Sequence, residues 1–182
     1  VAAKLKLSID VVALYRREES SPAKRRAVAA TLTNDSFRRE FGRRVIDRMV
    51  ERTQDERVDK NGNRLKPYSA AYAESLAGQV YGKRKGEIAD LTASGQMLAN
   101  LEVIATPARS VVIGFTSQEQ NDKAHGHVFG GGHLPVRDFF GLPKDEQVEI
   151  LKSTLKDFNR SADLFIDIPE VGPQITLDLE DI

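Results

Sequence analysis

The sequence predicts an α+β fold: an antiparallel sheet packed by a long N-terminal helix, with a further helix after a Pro-x-Arg-x-Phe motif and extended termini. Three observations carry that expectation. Apolar residues recur every four positions through residues 34–53, two short alternating segments flank Pro107, and a second amphipathic pattern starts at Pro143. With 182 residues and 40% apolar positions, the chain can bury a real core and needs no second large domain. The expected organisation is a strand and helical extension over 1–33, a single α+β domain over 34–160, and an acidic C-terminal arm over 161–182.

Leu5, Leu7 and Ile9 alternate with polar residues, as a strand with one buried face does. Ser20, Ser21 and Pro22 make a turn, and a helix is expected from Ala23. The strongest helix runs from Asn34 to Thr53. Phe37, Phe41, Val45 and Met49 share one face, with Ile46 and Val50 alongside, behind a cap at Asn34 or Asp35. That stripe should lie on a sheet. Asn61-Gly62 and Pro67 then break the helical region. Residues 68–78 are weakly helical, "GKRKG" at 82–86 reads as an exposed basic loop, and a short helix is expected from about Thr92.

"LEVIATPARSVVIGF" reads as an antiparallel hairpin turning through residues 107–110, with Val111, Ile113 and Phe115 on one face. Pro143 and the acids after it begin a helix whose inward face is Val148, Leu151, Leu155 and Phe158. The tail, "ADLFIDIPEVGPQITLDLEDI", alternates apolar and acidic residues around two prolines. That pattern fits an edge strand or an arm that orders on a neighbour.

Composition excludes several classes of chemistry. There is no cysteine, which removes disulfides, thiolate nucleophiles and cysteine-ligated zinc. No run approaches the roughly 20 apolar residues of a membrane helix, and the start lacks the apolar stretch of a signal peptide. Net charge is zero but polarised: residues 1–66 carry 17 Lys or Arg against 10 Asp or Glu, and residues 145–182 carry 3 against 10. The basic residues of the long helix alternate with acids, as on a solvated face. Opposite charge at the two ends also suits head-to-tail contact between identical subunits in a ring.

All three histidines fall in "HGHVFGGGHLPVRDFFGL", residues 125–142. On a strand His125 and His127 would face one side, so a metal-dependent hydrolase or nuclease using His125, His127 and His133 is the enzyme alternative. The expectation is nevertheless no metal and no cofactor. Asp138 is the one carboxylate of the motif, no His-Glu-x-x-His helix exists, and neither a Walker loop nor a dinucleotide fingerprint is present. No Gly-x-Ser-x-Gly elbow accompanies the scattered serines, and Asp59 and Asp90 cannot be placed as a pair, so no catalytic residue is assigned. The glycines read as a flexible connection that stiffens at Pro135.

The same residues suit a subunit or partner interface: His127, Phe129, Pro135, Arg137, Phe139 and Phe140 supply an Arg fork and adjacent aromatics. Against that, one of Phe139 and Phe140 is expected in the core, Arg137 is expected to pair with a local carboxylate if it is not at an interface, and His127 is expected to be a packing residue rather than a pH switch.

In order along the chain, a long charged helix (34–53), "GNRLKPYSAAY" (62–72), "ADLTASGQMLANLEV" (89–103), "HVFG" (127–130) and "LPVRDFFGLPKDEQVEIL" (134–151) resemble the phage virion morphogenesis family, the tail-completion or head-tail joining proteins of tailed bacteriophages. Val128 stands where that family has Gln and Leu65 where it often has Trp, while residues 1–30 and 161–182 have no counterpart. The resemblance implies a non-enzymatic virion protein that completes the tail and joins it to the head. It would form a ring, expected to be a hexamer, at the neck or head-proximal tail end after assembly in the host cytoplasm. Its partners would be identical subunits, the head-tail connector, and tail-tube or terminator proteins, with DNA passing a lumen lined by the first helices and no membrane contact. A tail terminator that stops tube growth is the alternative within this class.

Overall fold

The computed structural model describes residues 3–15, 22–131 and 134–161, with the backbone alone for Lys24 and residues 159–161. The turn at Ser20-Ser21, His133 and the acidic arm beyond residue 161 lie outside the described residues.

The sheet has three antiparallel strands, β1 (Lys6–Asp10), β2 (Leu101–Ala105) and β3 (Ser110–Phe115), in the order β1-β3-β2. β2 and β3 form the expected hairpin, with an irregularity between Val103 and Ala105. β1 joins the other side of β3, pairing Leu7 with Ile113 and Ile9 with Val111. Ile9, Val111 and Ile113 are buried with Val28 and Leu32 in the same core as the rest. No seam therefore separates residues 1–33 from 34–160 among the described residues.

Asp10 ends β1 by accepting hydrogen bonds from the N–H groups of Val12 and Ala13, which starts the short helix α1 (Val11–Leu14). α2 (Pro22–Leu32) then leads to α3 (Asp35–Glu51), capped by the Asn34 side chain on the Phe37 N–H. Phe37, Phe41, Val45 and Met49 are all fully buried. The predicted stripe lies on β2 and β3, and the approach is close. A Cβ on Gly42 would sit 2.6 Å from a Val103 methyl and 2.7 Å from a Val111 methyl, so this helix position has no room for a side chain.

α3 continues through a wider turn, Arg52–Glu56, that closes when the Arg57 N–H reaches back to the Arg52 carbonyl. Two short helices, α4 (Ala70–Glu74) and α5 (Leu76–Val80), follow, each capped by a serine. The helix expected from Thr92 is shortened to α6 (Gln96–Ala99), because Gly95 takes a left-handed conformation immediately before it. α8 (Lys144–Ser161) packs antiparallel along α3, with Leu151 and Leu155 buried and Phe158 edge-on to Phe37 at 5.5 Å.

The segment containing His125 and His127 is not a strand, as the metal alternative requires, but the last turns of a helix, α7 (Gln118–Phe129), capped by Ser117. Its polar sequence concealed it: the buried residues of α7 are Gln120, Asn121 and Ala124, and Asn121 is buried because it bonds the Leu5 N–H and the Ala3 carbonyl beside β1.

Candidate interface and the buried node beneath it

α7 ends at Gly130, whose φ of +73° turns the chain back on itself. From Leu134 to Phe139 exposure alternates along the chain, which ends in a tight turn where the Phe139 N–H donates to the Arg137 carbonyl at 2.9 Å. Arg137 and Phe139 point inward and are buried; Leu134 and Val136 are 45% exposed. This strap is held by side chains from three parts of the molecule.

Arg137 is the first anchor, only 4% exposed. Its Nε donates to the Lys66 carbonyl at 2.8 Å and one Nη to the Pro67 carbonyl at 2.9 Å, and its guanidinium lies 5.6 Å from the centre of the Tyr68 ring. The expected carboxylate partner is replaced by two main-chain carbonyls, which the planar fork can reach together. The backbone N–H of Arg137 donates to the His127 carbonyl at 2.7 Å, and a second Nη lies 3.5 Å from His127 Nδ1. Burial first, and the neighbouring Arg137 charge second, lower His127 to a pKa of about 4. His127 is therefore a neutral packing residue at pH 5.5–8, as the sequence favoured.

Beyond the Tyr68 ring the node continues. The Tyr68 hydroxyl donates to Asp90 at 2.7 Å, Lys83 donates to both Asp90 oxygens at 3.0 and 2.9 Å, and the Thr92 N–H donates to Asp90 at 3.0 Å. Desolvation pushes the Asp90 carboxyl up, but these hydrogen bonds outweigh it and hold the group well below the usual carboxylate range. Tyr68 moves the other way, raised by burial and then by its bond to Asp90. The reading of "GKRKG" as an exposed loop is thus corrected at Lys83, which is partly buried in an ion pair, while Arg84 and Lys85 are exposed. Asp59 is also committed elsewhere, accepting from the N–H groups of Asn61 and Asn63 to hold their turn.

The second anchor is Arg52, 1% exposed, which donates to the Gly141 carbonyl at 2.6 Å and the Phe139 carbonyl at 3.2 Å. Lys60 is the third. It pairs with Asp138 at 2.8 Å, and its N–H donates to the Asp138 carbonyl at 2.9 Å.

The six residues expected at an interface separate accordingly. Phe139 is fully buried and Arg137 nearly so, and within the single chain their side chains are core anchors. Phe140 is partly buried between Phe115 and Phe139, at ring distances of 5.8 and 6.4 Å. Pro135 and His127 are half-buried. Phe129 alone is exposed, at 61%. The structure adds two residues that the sequence reading missed, Leu134 and Val136, with His125 lying 4.6 Å from the Phe129 ring. Three glycines complete this surface: a Cβ at Gly126 would meet Leu134 at 3.2 Å, one at Gly130 would meet Val136 at 3.1 Å, and Gly131 lies against Gly126. The result is an apolar, glycine-lined patch on a rigidly anchored strap.

The metal alternative needs His125 and His127 on one side. Two residues apart on a helix, His125 and His127 project about 200° apart. One lies on Phe129 and the other against Arg137. His133 is outside the described residues, among which no group of three or more potential ligands is placed to hold an ion.

The basic face of α3 is also not bare. Arg38 and Arg52 are buried, Arg38 donating to the Thr106 and Ala108 carbonyls at the hairpin tip. Arg39 pairs with Asp35, Arg43 with Glu40 and Asp47, Arg44 with Glu40 and Asp157, and Arg48 with Glu51, Glu56 and Glu146. No family model, curated protein or solved structure matches the chain.

Proposed function

We propose that this chain is a structural subunit of a tailed-phage virion that completes the tail and joins it to the head, assembling as a ring through the apolar patch of Phe129, Leu134 and Val136. One observation supports this reading above the others: four of the five sequence pieces that resemble the virion morphogenesis family meet at a single node. Pro67 and Tyr68 come from the second piece, Asp90 and Thr92 from the third, His127 from the fourth and Arg137 from the fifth. Residues separated by up to 70 positions are thereby bound into one unit. Their role there is to hold a strap in place, which explains why such residues occur together without forming a reaction centre.

In this reading the protein is non-enzymatic: the Arg137 guanidinium is occupied by carbonyls, and Tyr68, Lys83 and Asp90 are occupied by one another. The strap presents apolar contact on a pre-organised support, which lowers the ordering cost of association. DNA passing through the ring would meet an α3 face close to neutral, so any contact there would be weak and blind to sequence. The test is native mass spectrometry with negative-stain microscopy of the purified chain. A closed ring of six or a similar small number of copies is expected. A single-subunit species at all concentrations, together with turnover that a chelator abolishes, would replace this reading with a hydrolytic one.

A further inference from the structure

Among the described residues, the outer edge of β1 is unpaired. The Val11 N–H donates to the Arg109 carbonyl at 3.0 Å, continuing the β1–β3 ladder. Peptide groups of successive strand residues point to opposite sides, so the odd-numbered residues of β1 bond β3. The N–H and C=O groups of Lys6 and Ser8 therefore point outward, and among the described residues nothing pairs with them. Both residues are exposed. The edge is also basic: Lys4 and Lys6 are exposed and no described carboxylate pairs with either. Lysines on an edge repel casual strand pairing, but they favour a strand of opposite charge.

We propose that this edge takes residues 174–180 of a neighbouring copy as a fourth strand. The occupant is identified by charge, pattern and reach. Residues 162–182 contain six acids and no Lys or Arg. Ile175, Leu177 and Leu179 alternate with Thr176, Asp178 and Glu180. Paired on β1, the acids fall on the face that carries Lys6, and the aliphatic residues extend the face that carries Leu7 and Ile9. α8 ends at Ser161, and the intervening residues include Pro169, Gly172 and Pro173. At about 3.3 Å per residue their greatest reach is about 40 Å, roughly the diameter of a subunit this size. The inference rests on the ring reading, to which it adds a head-to-tail contact separate from the Phe129 patch.

The test uses the full-length chain, with native mass and amide exchange as readouts. K4E/K6E and D178K/E180K should each weaken assembly by about tenfold or more, and the four substitutions combined in one chain should restore most of it. In the intact assembly the Lys6 and Ser8 amides should exchange about tenfold more slowly than in D178K/E180K. Ser8→Pro, which removes an outward N–H, and Leu177→Pro, which breaks the added strand, should each weaken assembly to a similar extent. If the charge-reversed variants assemble as the native chain does, with unchanged exchange, the edge contact is wrong and the ring stands. If the intact chain is a single subunit with slow Lys6 and Ser8 amides, the arm folds onto its own edge, and both the neighbouring-copy contact and the ring fall. Fast amides in a single subunit overturn both and also exclude the arm from the edge.

Discussion

Arg137 is joined to His127 twice, by a 2.7 Å bond from its backbone N–H to the His127 carbonyl and by a guanidinium nitrogen 3.5 Å from His127 Nδ1. Burial of the ring, and after it the cation facing it, make a proton on that imidazole costly. The pH dependence of stability follows. His127 falls from an ordinary value of 6.5 to about 4 in the folded chain, so the unfolded chain takes up its proton first as pH drops. Its contribution is complete above about pH 6.5, is lost between about 6.5 and 4, and changes no further below that. The loss is on the order of 3 kcal/mol. Urea midpoints of the native chain should fall relative to those of His127→Gln across this window; parallel curves would contradict the account.

Arg52 is the anchor at the other end of the strap. Arg52→Met leaves the Phe139 and Gly141 carbonyls without their donor, and the expected loss is about 2–4 kcal/mol. Amide exchange should rise first in residues 138–141. A change within about 0.5 kcal/mol would mean that packing alone holds the strap.

Gly42 tests the contact of α3 with the sheet. Gly42→Ala should cost about 1–3 kcal/mol, because its Cβ would overlap methyls of Val103 and Val111. In a Val103→Ala background the cost should shrink by at least about 0.5 kcal/mol. Equal costs in the two backgrounds would exclude the overlap as the cause.

The patch and the node should separate in experiment. Phe129→Asp and Val136→Asp should leave the urea midpoint nearly unchanged, within about 0.5 kcal/mol, while abolishing the ring. Arg137→Ala should do the reverse in order, destabilising the subunit by about 2–4 kcal/mol and losing the ring only as a consequence. Sedimentation velocity beside chemical unfolding separates the two.

Periodicity made the helix and hairpin legible: Phe37, Phe41, Val45 and Met49 repeat at helical spacing, and Val111, Ile113 and Phe115 alternate. α7 was not legible, since its buried face includes Gln120 and Asn121, whose burial depends on contacts distant in sequence. The strap is half legible. Arg and Phe suggest contact residues by type, whereas the alternation of Leu134 and Val136 with Arg137 and Phe139 carries the inside-outside information. Lys83 looked like one more cation in a glycine loop, and only the fold brings Asp90 to it.

The central claim is a role in joining tail to head, and the most direct measurement is electron microscopy of particles made when the gene is disrupted in its source genome. The account predicts filled heads beside unjoined tails of normal length. Tails of abnormal length would indicate a terminator, and normal, joined, infectious particles would contradict the account altogether.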